Sequence, residues 1–256
     1  MDTVIARRVN DRAIEGLGTS EPAWLRWPGL ARLPVASAAD LVPAGARVVV
    51  VAPHPDDEVL ASGGLLSLLG RGRTQVQWIA VTDGTRSHHG STEWTAERLQ
   101  RERPQESRQA LQQLGLRDLE PIRLRLPDGE VRRDILAAAL QPLLLPGDVI
   151  VTTWRHDGHT DHDQTGAGCA LAARRAGARL LEVPVWAWHW AVPGDTRIPW
   201  QRARRLLLDA DASRRKQSAV QCFQSQLQPD ASTGAGPILR STTVARAARP
   251  FEVFFA

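Results

Sequence analysis

Along most of this chain the apolar positions fall into short solid runs or helical stripes, and the switch between the two marks the elements. From Ala46 to Pro53 the run "ARVVVVAP" is apolar and β-branched between breakers, the pattern of a strand buried on both faces. "DEVLASGGLLSLLGRG" follows as a helix closed by glycine. "QVQWIAVTDG" predicts a second strand, "STEWTAERLQRERPQESRQALQQLGL" a long helix interrupted near Pro104, and "PIRLRLPDG" a short strand and turn. "EVRRDILAAALQPLLLPG" reads as a third helix, "DVIVTTW" as a buried strand, and "DHDQTGAGCALAARRAG" as a fourth helix stopped by Gly177. Next come "RLLEVPVWAWHW", a strand broken by Pro184, and "RARRLLLDA", an edge strand. "DASRRKQSAVQCFQSQL" is the last helix and "RPFEVFFA" a closing strand. Residues 1–43 lack this regularity and carry Gly, Pro and Trp. They are expected to form an N-terminal extension packed on a domain spanning 44–256, with tryptophans as anchors.

Strands alternating with helices of these lengths imply parallel β-α-β units. The expected fold is a three-layer α/β/α sandwich around a Rossmann-like, mostly parallel sheet. In such sheets ligands collect at the carboxyl ends of the strands.

The bulk numbers narrow the function classes. At 256 residues and 43% hydrophobic, the chain is long enough for one sizeable core. Its net charge is only +4, and Lys216 is the single lysine, so the basicity is carried by arginine. The arginines are scattered in pairs such as Arg132-Arg133 and Arg174-Arg175, and tyrosine is absent. Nucleic acid is therefore not an expected partner, since it asks for a clustered basic face with aromatic platforms. Cys169 and Cys222 show no CxxC spacing and read as buried thiols. No apolar run approaches the ~20 residues of a membrane span, and the first residues lack the apolar core of a signal peptide. A cytoplasmic location is expected.

Two polar knots carry the candidate chemistry. The first, "PHPDDE", follows the four-valine run and holds His54, Asp56, Asp57 and Glu58. Proline followed by carboxylates also suits a helix N-terminus, where they meet the positive end of the macrodipole. Helix-start chemistry does not explain His54. The second knot, "RHDGHTDHDQTG", follows "DVIVTTW" and holds His156, His159 and His162, three of the seven histidines, with Asp157, Asp161 and Asp163. Two strand-end loops of one parallel sheet can converge, and imidazoles with a carboxylate are ligands for zinc. A nucleotide site is disfavoured: "LASGG" falls within a helix, and no G-x-G-x-x-G or G-x-x-x-x-G-K is present.

"PHPDDEVLASGG" followed by "HTDHDQTG" resembles the PIG-L/LmbE family of metal-dependent de-N-acetylases, which act on N-acetylglucosamine-containing molecules. Weaker matches are "VTDGT", Arg103 with Glu106, "LPDG" at 126–129 and "KQSAVQCFQSQ", so the resemblance covers about residues 45–228. It implies a zinc-dependent hydrolase that removes an acetyl group from a small amino-sugar conjugate, with Fe²⁺ or another divalent metal an alternative. His54, Asp57 and His162 would be the metal ligands and Asp56 the general base on water. His159 would be the general acid or, as imidazolium, the electrostatic stabiliser. Asp161 either orients a histidine or caps the helix, and Arg86 is a candidate substrate contact from its loop position alone. Asp157 and His156 are expected at the rim, His88 and His89 on an exposed loop, His189 in the core, and Glu58 as a structural first-turn residue. Trp186, Trp188 and Trp190 would share one face of their strand, as a sugar platform or as sheet packing. Two related readings remain: an amidase for a larger acyl group or a thiol-conjugate amide, and a non-catalytic sugar-binding relative. The tyrosine that some members use to polarise the carbonyl has no counterpart here.

Overall fold

The computed structural model describes residues 12–72 and 74–256; the first part of the expected N-terminal extension lies outside the described residues. Its strands are β1 (Val35–Ala36), β2 (Val48–Ala52), β3 (Val76–Ala80), β4 (Pro121–Arg123), β5 (Val149–Thr153), β6 (Arg179–Val183), β7 (Ala203–Leu207) and β8 (Phe251–Phe255). Three short helices precede β2: α1 (Glu21–Arg26), α2 (Pro28–Ala31) and α3 (Ala38–Leu41). The crossovers then use α4 (Asp57–Leu69), α5 (Ala96–Gln113), α6 (Arg133–Leu140) and α7 (Thr160–Ala176). The last third holds α8 (Ala187–Trp190), α9 (Ala210–Val220), α10 (Gln224–Leu227) and α11 (Ser241–Ala247).

One sheet runs in the order β1-β7-β8-β6-β5-β2-β3-β4. Every pairing is parallel except the two made by β8. The four valines explain how the layers assemble. Val48 and Val50 pack on one face, in a cluster with α4, α5 and α9. Val49 and Val51 pack on the other, with α6 and α7. All four are at most 3% exposed, and each contributes about 1.5–3 kcal/mol by full burial. The result is the three-layer α/β/α sandwich read from the run pattern. From β2 the chain crosses to β3 on one side, and β5 pairs with β2 on the other. The strand order therefore switches between β2 and β5, whose ends are in register at Val51 and Thr152. The two polar knots are neighbours because of that switch.

Four local expectations are corrected. Helix α5 runs unbroken through Pro104; the carbonyl of Gln100, which proline cannot serve, meets Arg123 Nη2 at 3.5 Å. "RARRLLLDA" is not an edge, because β1 pairs outside β7. "DASRRKQSAVQCFQSQL" is not the last helix, because α11 stands between it and the closing strand. The tryptophans do not alternate along a strand: β6 ends at Val183, and Trp186 to Trp190 turn into α8. The reason is Asp157. Its carboxylate takes the backbone N–H groups of Val185, Trp186 and Ala187, each at 2.9 Å, so these amides cannot join the ladder. Trp188 instead packs against fully buried Trp24 in a third apolar cluster, ring centroids 4.9 Å apart. Among the described residues no helix is long and apolar enough to cross a membrane.

Candidate metal centre

The first knot turns sharply out of β2. Asp56 precedes α4 with φ of 137°, in a region that favours glycine, at a cost of about 1–3 kcal/mol. Its N–H is taken by Glu58 Oε2 at 3.1 Å, and Glu58 is 1% exposed, a structural first-turn residue as the sequence suggests. Arg103 of α5 fixes the same turn. Its guanidinium donates to Pro55 O (2.7 Å), Gly84 O (2.8 Å) and Asp56 Oδ2 (3.1 Å). Gly84 has φ of 65°, and a Cβ there would sit 2.0 Å from Arg103 Nη1, so only glycine lets the guanidinium approach.

Three ligand-type atoms from the two knots converge. Asp57 Oδ2 lies 3.2 Å from His54 Nδ1 and 3.2 Å from His162 Nε2. The opposite ring nitrogens are both held by carboxylates. His54 Nε2 lies 3.1 Å from Asp161 Oδ2 and 3.2 Å from Asp128 Oδ1. His162 Nδ1 lies 2.8 Å from Asp157 Oδ2. Asp157 already accepts three backbone N–H groups, so it accepts a fourth hydrogen bond from Nδ1–H and leaves the lone pair of His162 on Nε2. That Nε2 is buried and has no hydrogen-bond partner. A carboxylate–imidazole pair with its free nitrogen turned inward is the way proteins orient metal-binding histidine.

The charge balance also asks for a cation. Asp56, Asp57, Asp128, Asp157 and Asp161 are all buried. Among the described residues, Arg103 is the one arginine in an ion pair with any of these five. Burial alone would raise Asp57, but His162 and His54 beside it hold its carboxyl well below the usual range. Burial disfavours charge on the two imidazoles, yet their carboxylate partners lift both, His162 to about 9. A divalent ion would replace those protons. Among the described residues two groups have ligand-type atoms all within 4.8 Å of one another, His54 with His159 and His162, and His54 with Asp128 and Asp161. The site thus offers both imidazole and carboxylate donors to a metal, and Asp57 bridges His54 and His162.

His159 departs from expectation in its charge. It caps α7 through its ring, Nδ1 accepting the N–H of Asp161 at 3.2 Å. Burial, with His162 and His54 nearby, pushes its pKa down to about 3. That shift favours the neutral imidazole, and the N–H that Nδ1 accepts from Asp161 places its proton on Nε2. Because His159 fills the cap, Asp161 is left to hold His54, Gly129 N (2.7 Å) and Val131 N (3.2 Å). Asp56 is pushed up to about 8 by burial, against the pull of Arg103.

The remaining candidates fall as follows. Arg86 lines the mouth of the cleft, its side chain 61% exposed and paired with Glu130 at 2.8 Å, while its backbone N–H goes to Asp128. His156 and His89 are exposed, His88 is half-buried beside Trp94, and His189 is buried with Nε2 bonded to Glu15 O. Asp157 is not a rim residue; it is fully buried behind His162. Asp128, read only as part of a turn, was missed as a partner of His54. The signal available for it was "LPDG" after a strand end. Above the ligands lies a cleft of about 280 Å³. Its lining combines polar side chains, among them His54, Asp56, Arg103 and His159, with apolar ones, Leu60, Trp186, Ile238 and Leu239.

Known proteins resemble this chain in sequence and in fold. Residues 49–173 match the family model described as PIG-L: GlcNAc-PI de-N-acetylase. Over 136 residues the chain is 29% identical to Probable N-acetyl-alpha-D-glucosaminyl L-malate deacetylase 2 of Bacillus cereus, a match covering 50% of this chain. The chain spans 61% of the length of that curated relative. A conserved protein of Thermus thermophilus superposes with a TM-score of 0.51 at 26% identity, over 72% of this chain and 80% of that one. A deacetylase of teicoplanin biosynthesis shares the fold with a TM-score of 0.63 at 16% identity, over 82% of this chain and 96% of that one.

Proposed function

Because residues 49–173 match the PIG-L family model, we propose that this chain is a metal-dependent hydrolase that removes an acetyl group from an N-acetylated amino-sugar conjugate. The observation that carries the reading is the orphaned, buried Nε2 of His162, turned toward Asp57 and His54 with Asp157 behind it. His54 Nδ1, Asp57 Oδ2 and His162 Nε2 would hold the ion, zinc or ferrous iron, which this donor set suits equally. When bound, the ion supplies Lewis-acid polarisation of the amide carbonyl and lowers the pKa of water in its shell.

The chain's own residues do the rest. Asp56 accepts the proton of the attacking water as general base. Arg103 holds the Asp56 carboxyl and its strained turn in place. Burial outweighs Arg103 and keeps the group largely protonated at neutral pH without the ion; the charge of a bound cation would add to that of Arg103 in favouring the ionised form the base needs. His159, neutral, donates Nε2–H to the oxygen that gains charge as the carbonyl becomes tetrahedral. The proton on Asp56 then passes to the departing amine. Asp161 and Asp128 keep His54 in one tautomer, and Asp157 does so for His162. Arg86 stands at the mouth as a donor for sugar hydroxyls.

The test is metal content of the chain purified without added metal, with acetate release from an N-acetylglucosamine derivative. Wild type carries about one zinc or iron and releases acetate, and Asp56→Ala keeps the metal but loses at least about 10²-fold in rate. A chain that takes up no metal on reconstitution sinks the reading. The apolar lining of Leu60, Trp186, Ile238 and Leu239 favours a second reading, hydrolysis of a larger acyl amide. Rates that rise with acyl length on the same sugar would select it.

A further inference from the structure

Beside α4, with Leu60 as its common wall with the cleft, the last strand and α11 line a small cavity of about 40 Å³ in which charged and apolar side chains mix. Three cations surround it: Lys216, Arg246 and Arg249, respectively 3%, 7% and 6% exposed. Two are compensated. Lys216 Nζ meets Glu252 Oε1 at 2.6 Å, and Arg249 forms a two-pronged pair with Glu21, both bonds 2.7 Å. Among the described residues, Arg246 has no carboxylate partner. Its one hydrogen bond goes to the carbonyl of Thr19 (2.7 Å), and its Nε is buried without a partner. Thr243, one turn earlier on the same wall, is 5% exposed, and its Oγ1 is also buried without a partner. Burial and the neighbouring Arg249 push the Arg246 guanidinium down to about 10.

Three cations facing two carboxylates leave one positive charge, in a place where buried charges are otherwise paired. The cavity exceeds the ~10–15 Å³ that one water needs, and it is too small for a sugar phosphate or a dicarboxylate. We propose that this cavity is a binding site for one small inorganic anion of halide size, held by Arg246 and Thr243. The bound anion would neutralise Arg246 and tie α11 to the turn that enters β8. It lies apart from the metal-centre residues and does not depend on the hydrolase reading.

The test is thermal unfolding of the full chain in sodium chloride, sodium bromide and sodium gluconate at one ionic strength, since gluconate is too large to enter. The wild type should gain a saturable rise in Tm with either halide, about 5 °C once the halide reaches a hundred times its dissociation constant. Arg246→Gln should lose that rise and Thr243→Val should weaken it. Crystals grown in bromide should show one anomalous peak between Arg246 and Thr243, which settles the site even where Arg246→Gln folds poorly. Equal Tm in all three salts, or bromide crystals with only water in the cavity, overturns the proposal.

Discussion

At the scale of single residues, what distinguishes this site is the work of carboxylates that bind no substrate. Asp157 accepts four hydrogen bonds, one from His162 and three from the amides after β6. Asp157→Asn keeps the volume but replaces an acceptor oxygen with a donor, which opposes the Nδ1–H tautomer of His162. Affinity for zinc, read by competition with a chromogenic chelator, should fall about 10–100-fold. His156→Ala, next to Asp157 in sequence but exposed, should leave it unchanged. The two cysteines separate on burial alone. Cys169 is fully buried with its thiol pushed up to about 12, whereas Cys222 is half-exposed. A thiol reagent at neutral pH should therefore label one cysteine per native chain, and peptide mapping should find it at Cys222.

At the scale of elements, α4 carries Asp57 and is not one continuous helix. Ser62 has φ of −142°, and the break frees the amides of Gly64 and Leu65 and the carbonyl of Leu60. Residues distant in sequence satisfy them. Glu252 of β8 accepts Gly64 N–H (2.6 Å) and Leu65 N–H (2.8 Å), and Lys216 of α9 donates to Leu60 O (3.2 Å) while pairing with Glu252. The only lysine of the chain thus stands at the kink of the helix that begins with Asp57. Lys216→Met leaves Glu252 buried and unpaired and should cost about 3–5 kcal/mol in urea unfolding. Gly64→Ala puts a Cβ 2.5 Å from Leu208 and 2.9 Å from the Glu252 carboxyl, an overpacking cost of about 1–3 kcal/mol.

At the scale of the whole molecule, the segment before β2 and the C-terminal strand meet on the far side of the sheet. Trp24 donates its Nε1–H to Trp188 O at 2.9 Å and stacks edge-on against the Trp188 ring, while Arg249 crosses from the β8 turn to Glu21. Two residues before Trp188, Trp186 lines the cleft. Trp24→Ala should therefore cost about 3–5 kcal/mol, measured by denaturant titration. It should also loosen the apolar lining, visible as a larger loss for substrates with long acyl chains than for acetyl.

Sequence alone carried far in this chain because its signals are local. A run of four valines, helical stripes closed by Gly177 and two strand-end knots depend on near neighbours, and they were enough for the parallel sandwich and for two polar loops that converge at its strand ends; the choice of His54, Asp57 and His162 within them came from the family resemblance. What tertiary structure decided are the partnerships between distant residues. Asp157 could be a rim residue or the carboxylate behind His162, and only the return of the chain at Val185 to Ala187 makes it the latter. Pro184 and the tryptophans read as a strand because nothing local reveals that their amides are captured by Asp157. The charge of His159 was likewise undetermined, since it follows from burial and from the two imidazoles packed against it. Hydrophobic period is written in consecutive residues; the partner of a buried polar group is fixed only when the sheet closes around it.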